Sequence, residues 1–340
     1  MSRRIVISGL GAVSPRAMGH TALWELFSGG DTGPSSASPE RIPDAMFAKQ
    51  AAQLRHLDRL GRIALTAATL AIEDAGPGAP LQTGIAFGSG YGCLPTNEEY
   101  LEGILERGGR YGNPVVFQNT VTNAATGYIS MVHDLRGPTA TLCSGHAAGL
   151  EALRFGCLQI EEGQADRMVV VGADTLSPRL LAGLSQPDGI GVSEAACALV
   201  LEERSQAVSR GAPRHAEVLG SGHRGGPLTR QAHTLARAVR DAMHTARIEP
   251  EQLGTVFSCA NGPGAFDGWE SRGLHEALGT HAARLPVRFP KPVHGETFSA
   301  AGLLAAVLAT RALDTGCALL TALGGEGSAL AVVLRGGAHD

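Results

Sequence analysis

The chain has 340 residues, of which 44% are hydrophobic and 18% are charged, and its mean hydropathy is +0.04. At about 150 residues per domain, this length predicts two structural units and excludes a peptide or a small disulfide-linked scaffold. The formal net charge is −4 and no basic stripe is present, which argues against nucleic-acid binding. No apolar run approaches the ~20 residues that cross a bilayer, so we expect no membrane contact.

The start of the chain and its cysteines both indicate the cytoplasm. The opening residues MSRRIVISGLG pass directly into a strand pattern rather than a cleavable signal. None of the six cysteines forms a C-x-x-C pair, and they lie in apolar or glycine-rich sequence: Cys93, Cys143, Cys157, Cys197, Cys259 and Cys317. We therefore expect a cytoplasmic protein with reduced, mostly buried thiols and without disulfides or a zinc site.

Short apolar strands alternate with amphipathic helices along the chain. Predicted strands cover residues 4–9, 84–90, 167–173, 196–203, 255–260 and 328–336, and predicted helices cover residues 58–75, 145–161, 229–246 and 298–313. In the first of these helices Leu60, Ile63 and Ala67 share one stripe, and Gly76 supplies a stop signal. This alternation predicts an α/β protein with largely buried strands.

The second half of the sequence repeats features of the first. The run AAGL at residues 147–150 reappears at residues 300–303, and the strand at 196–203 is echoed at 328–336. Two matches in the same order predict a duplicated βαβαβαββ unit. In such a fold the two alanine-rich helices would pack back to back in the centre, with their N-termini at the same pocket.

Two glycine-rich turns follow predicted strands and raise the question of a nucleotide site. In the first, Gly9 and Gly11 are soon followed by Pro15, the last glycine of the dinucleotide motif is missing, and no clear helix opens there. The second, at residues 88–92, fails in the same way. Both are interpreted as structural turns.

Residues 123–153, NAATGYISMVHDLRGPTATLCSGHAAGLEAL, resemble the ketosynthases, the condensing enzymes of fatty-acid and polyketide synthesis in the thiolase superfamily. That family carries its nucleophilic cysteine between a Gly-Pro pair and a glycine, at the entrance to a buried central helix. Here Gly137-Pro138 and Gly149 hold this frame, and His146 stands in the place of the cysteine. Similar segments follow along the whole chain, at residues 4–15, 58–76, 193–203, 259–265, 291–302 and 324–329. The resemblance implies the thiolase fold, with βαβαβαββ halves at 1–210 and 211–340 in a five-layer αβαβα arrangement.

Three residues that ketosynthase chemistry requires are replaced. The family uses a cysteine to carry the acyl chain and two histidines to bind the malonyl thioester oxygen as enolate charge develops. In register this chain has His146, Asn261 and Glu296, where Asn261 opens NGPGA and Glu296 follows K-x-x-x-G. An imidazole does not hold a stable acyl thioester, and an ionised Glu296 would repel the malonyl carboxylate and the enolate.

Losing one such group costs ~10²–10³ in rate, so we expect no Claisen condensation by this chain. We expect its cavity to lack the thiol and the imidazoles of the family, and we expect Cys143 and Lys291 to support the pocket.

A ketosynthase relative with an intact fold and a replaced nucleophile resembles the chain-length factor, the β subunit of type II polyketide synthases. Those subunits often carry glutamine in a Q-A-G-G-L run, where this chain has HAAGL, and residues 125–130, ATGYIS, resemble their N-T-G-x-I-S stretch. The chain is also shorter than most family members, like some chain-length factors of polyene-forming systems.

The resemblance implies partners and a role. An active ketosynthase α subunit would form an obligate heterodimer with this chain and contribute the Cys-His-His site. The chain would need no cofactor of its own, because the partner uses phosphopantetheine bound to an acyl carrier protein. Pro114, Phe117 and Val121 match positions that cap the acyl tunnel at the dimer seam, close to Asn123, and helical spacing would place the first three on one face. Ordinary interface packing explains the same residues equally well.

Other uses of the site remain open. A stand-alone acyltransferase or malonyl decarboxylase of the same fold would use His146 or Cys143. Cys143 lies three residues before His146, however, which predicts a buried and inert thiol in the preceding strand or turn. His294 near Glu296 lacks a third ligand, so no metal site is predicted.

Overall fold

The computed structural model describes residues 3–30, 33, 39–46, 57–78, 82–184, 190–260 and 265–337. The strands within them are β1 (Ile5–Ser14), β2 (Ala17–Met18), β3 (Thr83–Gly88), β4 (Thr139–Leu142), β5 (Arg167–Asp174), β6 (Ala195–Glu203), β7 (Ala216–Gly225), β8 (Leu253–Phe257), β9 (Val287–Arg288), β10 (Cys317–Leu323) and β11 (Ser328–Arg335). The helices are α1 (His20–Ser28), α2 (Arg59–Asp74), α3 (Leu94–Arg107), α4 (Pro114–Phe117), α5 (Asn123–Val132), α6 (Ala148–Glu161), α7 (Pro178–Gly183), α8 (Arg204–Ser209), α9 (Gln231–Ala246), α10 (Ala265–Leu278), α11 (Lys291–His294) and α12 (Ala300–Ala312).

Ten of the eleven described strands form two groups of five with the same internal order, and β2 pairs with β1 outside that order. The first group runs β4-β3-β5-β6-β1 and the second runs β7-β11-β10-β8-β9. When the five strands of each group are numbered 1 to 5 in chain order, both groups have the spatial order 1-5-4-2-3, starting from the strand at the centre of the sheet. The groups meet where β1 pairs antiparallel with β7, from Ile5 opposite Val218 to Ile7 opposite Ala216. This repeated order confirms the predicted duplication, whereas the division at residue 210 stays a prediction.

Three apolar clusters separate the layers of the molecule. Helices α2 and α5 cover the outer face of the first strand group, with Ile63 and Ile129 fully buried. Helices α9 and α10 cover the outer face of the second group, with Leu235 and Leu274 in the cluster. Helices α6 and α12 lie between the two groups in the central cluster. The five-layer αβαβα arrangement is therefore confirmed.

Small residues allow the two central helices to approach each other. A Cβ atom added to Gly149 would lie 2.1 Å from the carbonyl oxygen of Ser299, and one added to Gly302 would lie 2.6 Å from the side chain of Leu150. Any larger residue at Gly149 would have to displace backbone. The alanine- and glycine-rich sequence thus brings both helix N-termini to the same place, as the duplicated pattern predicts.

Several element ends differ from the sequence-based expectation. Helix α12 begins at Ala300 rather than at 298, because Phe298 has a φ of 52°, outside the right-handed helical region. Strand β8 ends at Phe257 rather than at 260. The helix expected from Pro114 through Val121 is interrupted, since α4 ends at Phe117 and α5 begins only at Asn123. None of the helices among the described residues combines the length and the apolar composition that spanning a bilayer requires.

Candidate functional site at the entrance of the central helices

The N-terminal ends of α6 and α12 open onto one cavity. Its lining comes from the turn before α6, the end of β8, helix α11, the turn before α12 and the end of β10. Its polar lining residues are His146, Ser258, Cys259, Lys291, His294, Thr297 and Thr321. Only about 20 Å³ is open to the centre of a water molecule, which is room for about one water. The cavity is therefore almost filled by its own side chains.

His146 lies where the sequence places it, at the entrance of the first central helix. It belongs to a single 3-10 turn, Gly145–Ala147, that leads into α6, and its side chain is half-buried. Its ring centroid is 5.5 Å from that of Phe298. Gly145 has a φ of +59°, and a Cβ there would lie 2.7 Å from the carboxylate of Glu326. A carboxylate thus stands beside the residue that precedes His146.

Glu296 forms a buried ion pair with Lys291. Lys291 Nζ donates to Glu296 Oε2 at 2.7 Å, and the two side chains are only 7% and 3% exposed. Burial favours a raised pKa for Glu296, but the charge of Lys291, with smaller contributions from His146 and from donated hydrogen bonds, lowers that pKa below its ordinary value. Burial likewise opposes the charged form of Lys291, yet Glu296 raises the Lys291 pKa overall. Glu296 is therefore ionised at neutral pH.

A second buried carboxylate, that of Glu270, accepts hydrogen bonds from residues that line the cavity. Glu270 Oε1 accepts the backbone N–H of Cys259 at 3.1 Å and the Cys259 thiol at 3.5 Å. The hydroxyls of Ser258 and Thr321 also donate to this carboxylate. Burial, followed by the charge of Glu270, raises the pKa of the Cys259 thiol well above its ordinary value. The thiol stays protonated, and a protonated thiol is a poor nucleophile.

His294 is a neutral imidazole inside the protein. It is 3% exposed, and neither ring nitrogen has a hydrogen-bond partner among the residues that the structure describes. Its ring stacks on Phe27, with centroids 6.2 Å apart. Burial, with a contribution from the charge of Arg16, lowers the pKa of His294 to about 4. The ring therefore carries no charge at neutral pH.

The cavity does hold a thiol and imidazoles, but not in the family's arrangement of one cysteine and two histidines. Cys259, His146 and His294 all line it, but none of them reproduces a nucleophilic thiolate at the entrance of α6. The sequence comparison missed Cys259 and His294 because each lies two residues before an aligned position, Asn261 and Glu296 respectively. Asn261 itself lies outside the described residues.

Cys143 differs from its prediction as well. It follows β4, is exposed, and is not among the residues lining the cavity, so neither burial nor a role in the pocket is borne out. Cys93, Cys157, Cys197 and Cys317 are buried free thiols, as the sequence predicts. The described part of the chain contains no group of three or more metal-ligating side chains.

The residues assigned to a dimer seam are accessible to solvent in the isolated chain. Pro114, Phe117, Val121 and Asn123 are all exposed. Among the described residues, the large apolar side chains exposed between β3 and β4 are Leu101, Leu105, Tyr111, Val115, Phe117, Val121, Met131 and Val132. We call these eight residues the apolar face. It adjoins β4, which occupies one edge of the sheet.

Known proteins match this chain over nearly all of its length. Residues 35–188 match the family model for the β-ketoacyl synthase N-terminal domain, and residues 214–322 match the model for its C-terminal domain. A putative polyketide β-ketoacyl synthase 2 of Streptomyces coelicolor is 30% identical, over 93% of this chain and 84% of that protein.

Two solved structures have the same fold. The ishigamide ketosynthase/chain length factor superposes with a TM-score of 0.86 at 22% identity, covering 99% of this chain and 100% of that one. A type II polyketide synthase acyl-carrier protein in complex with its ketosynthase gives a TM-score of 0.86 at 20% identity, with coverage of 99% and 100%. The sequence matches and the duplicated five-layer architecture together show that this chain belongs to the β-ketoacyl synthase family.

Proposed function

We propose that this chain is a chain-length factor, the non-elongating subunit that pairs with an active ketosynthase in type II polyketide biosynthesis. The observation that carries the proposal is the buried ion pair between Lys291 and Glu296, which puts an ionised carboxylate where the family binds an enolate. A thiolate nucleophile is also missing from the entrance of α6, where His146 stands.

Electrostatics opposes condensation at this site. At an effective dielectric constant of ~20, two like charges ~4 Å apart repel by about 4 kcal/mol, which corresponds to a factor of about 10³ in rate. Glu296 would repel a malonyl carboxylate and the developing enolate by less than this, because Lys291 pairs with its charge, but it donates no hydrogen bond to either, as a neutral histidine would. Glu326 beside Gly145 adds a further negative charge at the entrance. The other thiol of the cavity, Cys259, is held protonated beside Glu270.

The apolar face supports a protein partner. An interface needs apolar side chains that a partner can remove from water. Here eight large apolar side chains are exposed between β3 and β4, beside an edge strand that could accept further backbone pairing. An active ketosynthase of the same fold is the partner we propose, and it would carry out the chemistry on chains delivered by an acyl carrier protein. This chain would then need no cofactor of its own and would act on product length through the shape of the shared tunnel.

The test is co-purification with a ketosynthase from the same genome that retains the Cys-His-His set. We expect a stable heterodimer, with elongation activity that requires both chains. Val115→Asp should weaken the complex by at least ~30-fold, because burying an unpaired charge at an interface costs about 2 kcal/mol or more. Val208→Asp in α8 is the matched control, since Val115 and Val208 are both 47% exposed, and it should leave the complex unchanged.

A stand-alone acyltransferase or decarboxylase is the competing outcome. It would show as turnover of malonyl or acyl thioesters by the purified chain, abolished by His146→Ala or by Cys143→Ala. Such turnover, or equal complex formation by the Val115→Asp and Val208→Asp variants, would refute the proposal.

A further inference from the structure

Phe298 is a buried aromatic residue in an unfavourable backbone conformation, beside the cavity. It is 1% exposed and its φ is 52°, in the left-handed region that bulky L residues enter only at an energetic cost. Residues held in this way persist where their surroundings over-determine them, and they concentrate at functional sites. The sequence gives no sign of the strain, because TFSAAG reads as the start of an alanine-rich helix.

The ring of Phe298 fills the space next to the entrance of α6. It lines the cavity together with His146, with a ring-centroid distance of 5.5 Å. It also packs edge-to-face against Tyr91, with the ring centroids 4.9 Å apart. Leu176, Leu180 and Val192 complete a small apolar cluster around it. The ring therefore occupies space directly beside residue 146, at the entrance of α6.

Glu296 fixes the backbone that presents this ring. Its Oε1 accepts the N–H of Phe298 at 2.7 Å, while its Oε2 is held by Lys291. Backbone bonds between Glu296 and residues 191–193 also anchor the turn, since Glu296 N–H donates to Gly191 and Ser193 N–H donates to Glu296. The carboxylate thus has a structural task in addition to its charge.

We propose that Phe298 is the residue that closes the central cavity of this chain to acyl chains, and that the Glu296–Lys291 pair holds it closed. The proposal rests on the proposed function only for the identity of the excluded ligand, an acyl chain. It also explains why a glutamate stands at position 296 in place of the family's histidine. The carboxylate cannot donate a hydrogen bond to an enolate, and it positions the Phe298 side chain that blocks entry. The tunnel for the growing chain would then be left to the heterodimer seam.

The test places a thiol at the entrance and measures how easily it is reached. In the full chain, Cys143→Ser removes the nearby exposed thiol and His146→Cys introduces the reporter. Alkylation by iodoacetamide and by an iodoacetamide bearing an octyl chain is followed by intact mass. The Cys143→Ser chain that retains His146 gives the background from the other cysteines.

We expect Phe298→Gly to raise the rate with the octyl reagent at least tenfold, and the rate with iodoacetamide much less. Phe298→Leu, which retains most of the bulk, should change either rate less than threefold. The combined change Lys291→Met and Glu296→Leu, which removes the acceptor of the Phe298 N–H without leaving a buried charge, should also raise the octyl rate. Equal octyl rates with Phe298 present, with Phe298→Gly and with the combined change would overturn the proposal.

A second measurement tests the strain and does not depend on the reporter. Phe298→Gly and Phe298→Ala remove the same ring, but only alanine keeps a Cβ at a φ of 52°. We expect the glycine variant to unfold at a higher temperature than the alanine variant, the reverse of the usual ranking. A lower midpoint for glycine would contradict the strained geometry. Neither experiment depends on the partner, so a chain that pairs with a ketosynthase but fails both tests would refute only the closure by Phe298.

Discussion

Two equivalent connections of the duplicated fold treat their apolar side chains differently. Residues 89–138 link β3 to β4 in the first half, and they contain the whole apolar face. Residues 258–286 link β8 to β9 in the second half, where α10 directs Leu274 and Leu278 into the outer core. None of the large apolar side chains described within that second connection is exposed.

This difference shows how the molecule divides its tasks. In the second half, the buried residues Glu270, Lys291, His294 and Glu296 lie in or next to the central cavity. The first half directs apolar side chains outward, where a partner can cover them.

The largest predicted loss of stability comes from breaking the buried ion pair between Lys291 and Glu296, which is compared below with an exposed pair. Lys291→Met should destabilise the chain by about 3–5 kcal/mol, because it leaves the carboxylate of Glu296 buried without its counter-charge. The double change Lys291→Met and Glu296→Leu should recover most of that loss. Chemical denaturation of the two variants checks this, and a double variant no more stable than the single one would contradict the role of the pair.

The two connections should also respond differently to truncation. Leu274→Ala removes a side chain that is 7% exposed within the outer core and should cost about 2–5 kcal/mol. Leu105→Ala removes one that is 80% exposed and should change the stability of the isolated chain by less than about 0.5 kcal/mol. The denaturation midpoints of the two variants, compared with that of the unchanged chain, measure these losses. Comparable losses would mean that the apolar face is already packed in the isolated chain.

Lowering the pH should reduce the stability of the protein through protonation of His294. Its pKa is about 4 in the folded chain and 6.5 ordinarily, so below pH 6.5 the unfolded chain binds more protons than the folded one. The contribution of neutral His294 to the free energy of unfolding is fully present above pH 6.5. It is smaller by about 2 kcal/mol at pH 5 and is lost as the pH falls through 4. His294→Leu should flatten the stability curve between pH 6.5 and 4. An unchanged slope in that variant would show that His294 does not stay neutral.

The smallest predicted loss of stability comes from breaking an exposed ion pair between α3 and α7. Arg179 and Glu102 form an ion pair at 2.6 Å, but their side chains are 63% and 50% exposed. Arg179→Ala should therefore cost no more than about 1 kcal/mol, and less at high salt. A loss comparable to that of Lys291→Met would remove the distinction between exposed and buried ion pairs.

Sequence patterns predicted the architecture better than the site. The repeated AAGL runs led to α6 and α12, because close helix packing needs small residues at fixed spacing and this requirement is visible in the sequence. The resemblance to ketosynthases placed His146 at a helix entrance, where the structure has it. It missed Cys259 and His294, since the loops before an aligned position bring side chains into the cavity by their three-dimensional course.

The remaining errors have local physical causes. Cys143 is exposed rather than buried, because the segment after β4 lies at the edge of the sheet, and an edge position is not encoded in local hydropathy. The left-handed conformation of Phe298 depends on its N–H bond to Glu296 and on packing against Tyr91. Such tertiary contacts override the helical propensity of the surrounding sequence.

The central claim is that this chain assists a reaction whose covalent chemistry occurs on its partner. Intact mass spectrometry of both subunits, recorded during turnover of the heterodimer with a loaded acyl carrier protein, tests it most directly. We predict acyl adducts on the ketosynthase alone, while this chain keeps its unmodified mass throughout. An acyl adduct that appears on this chain and disappears at the rate of turnover would contradict the account.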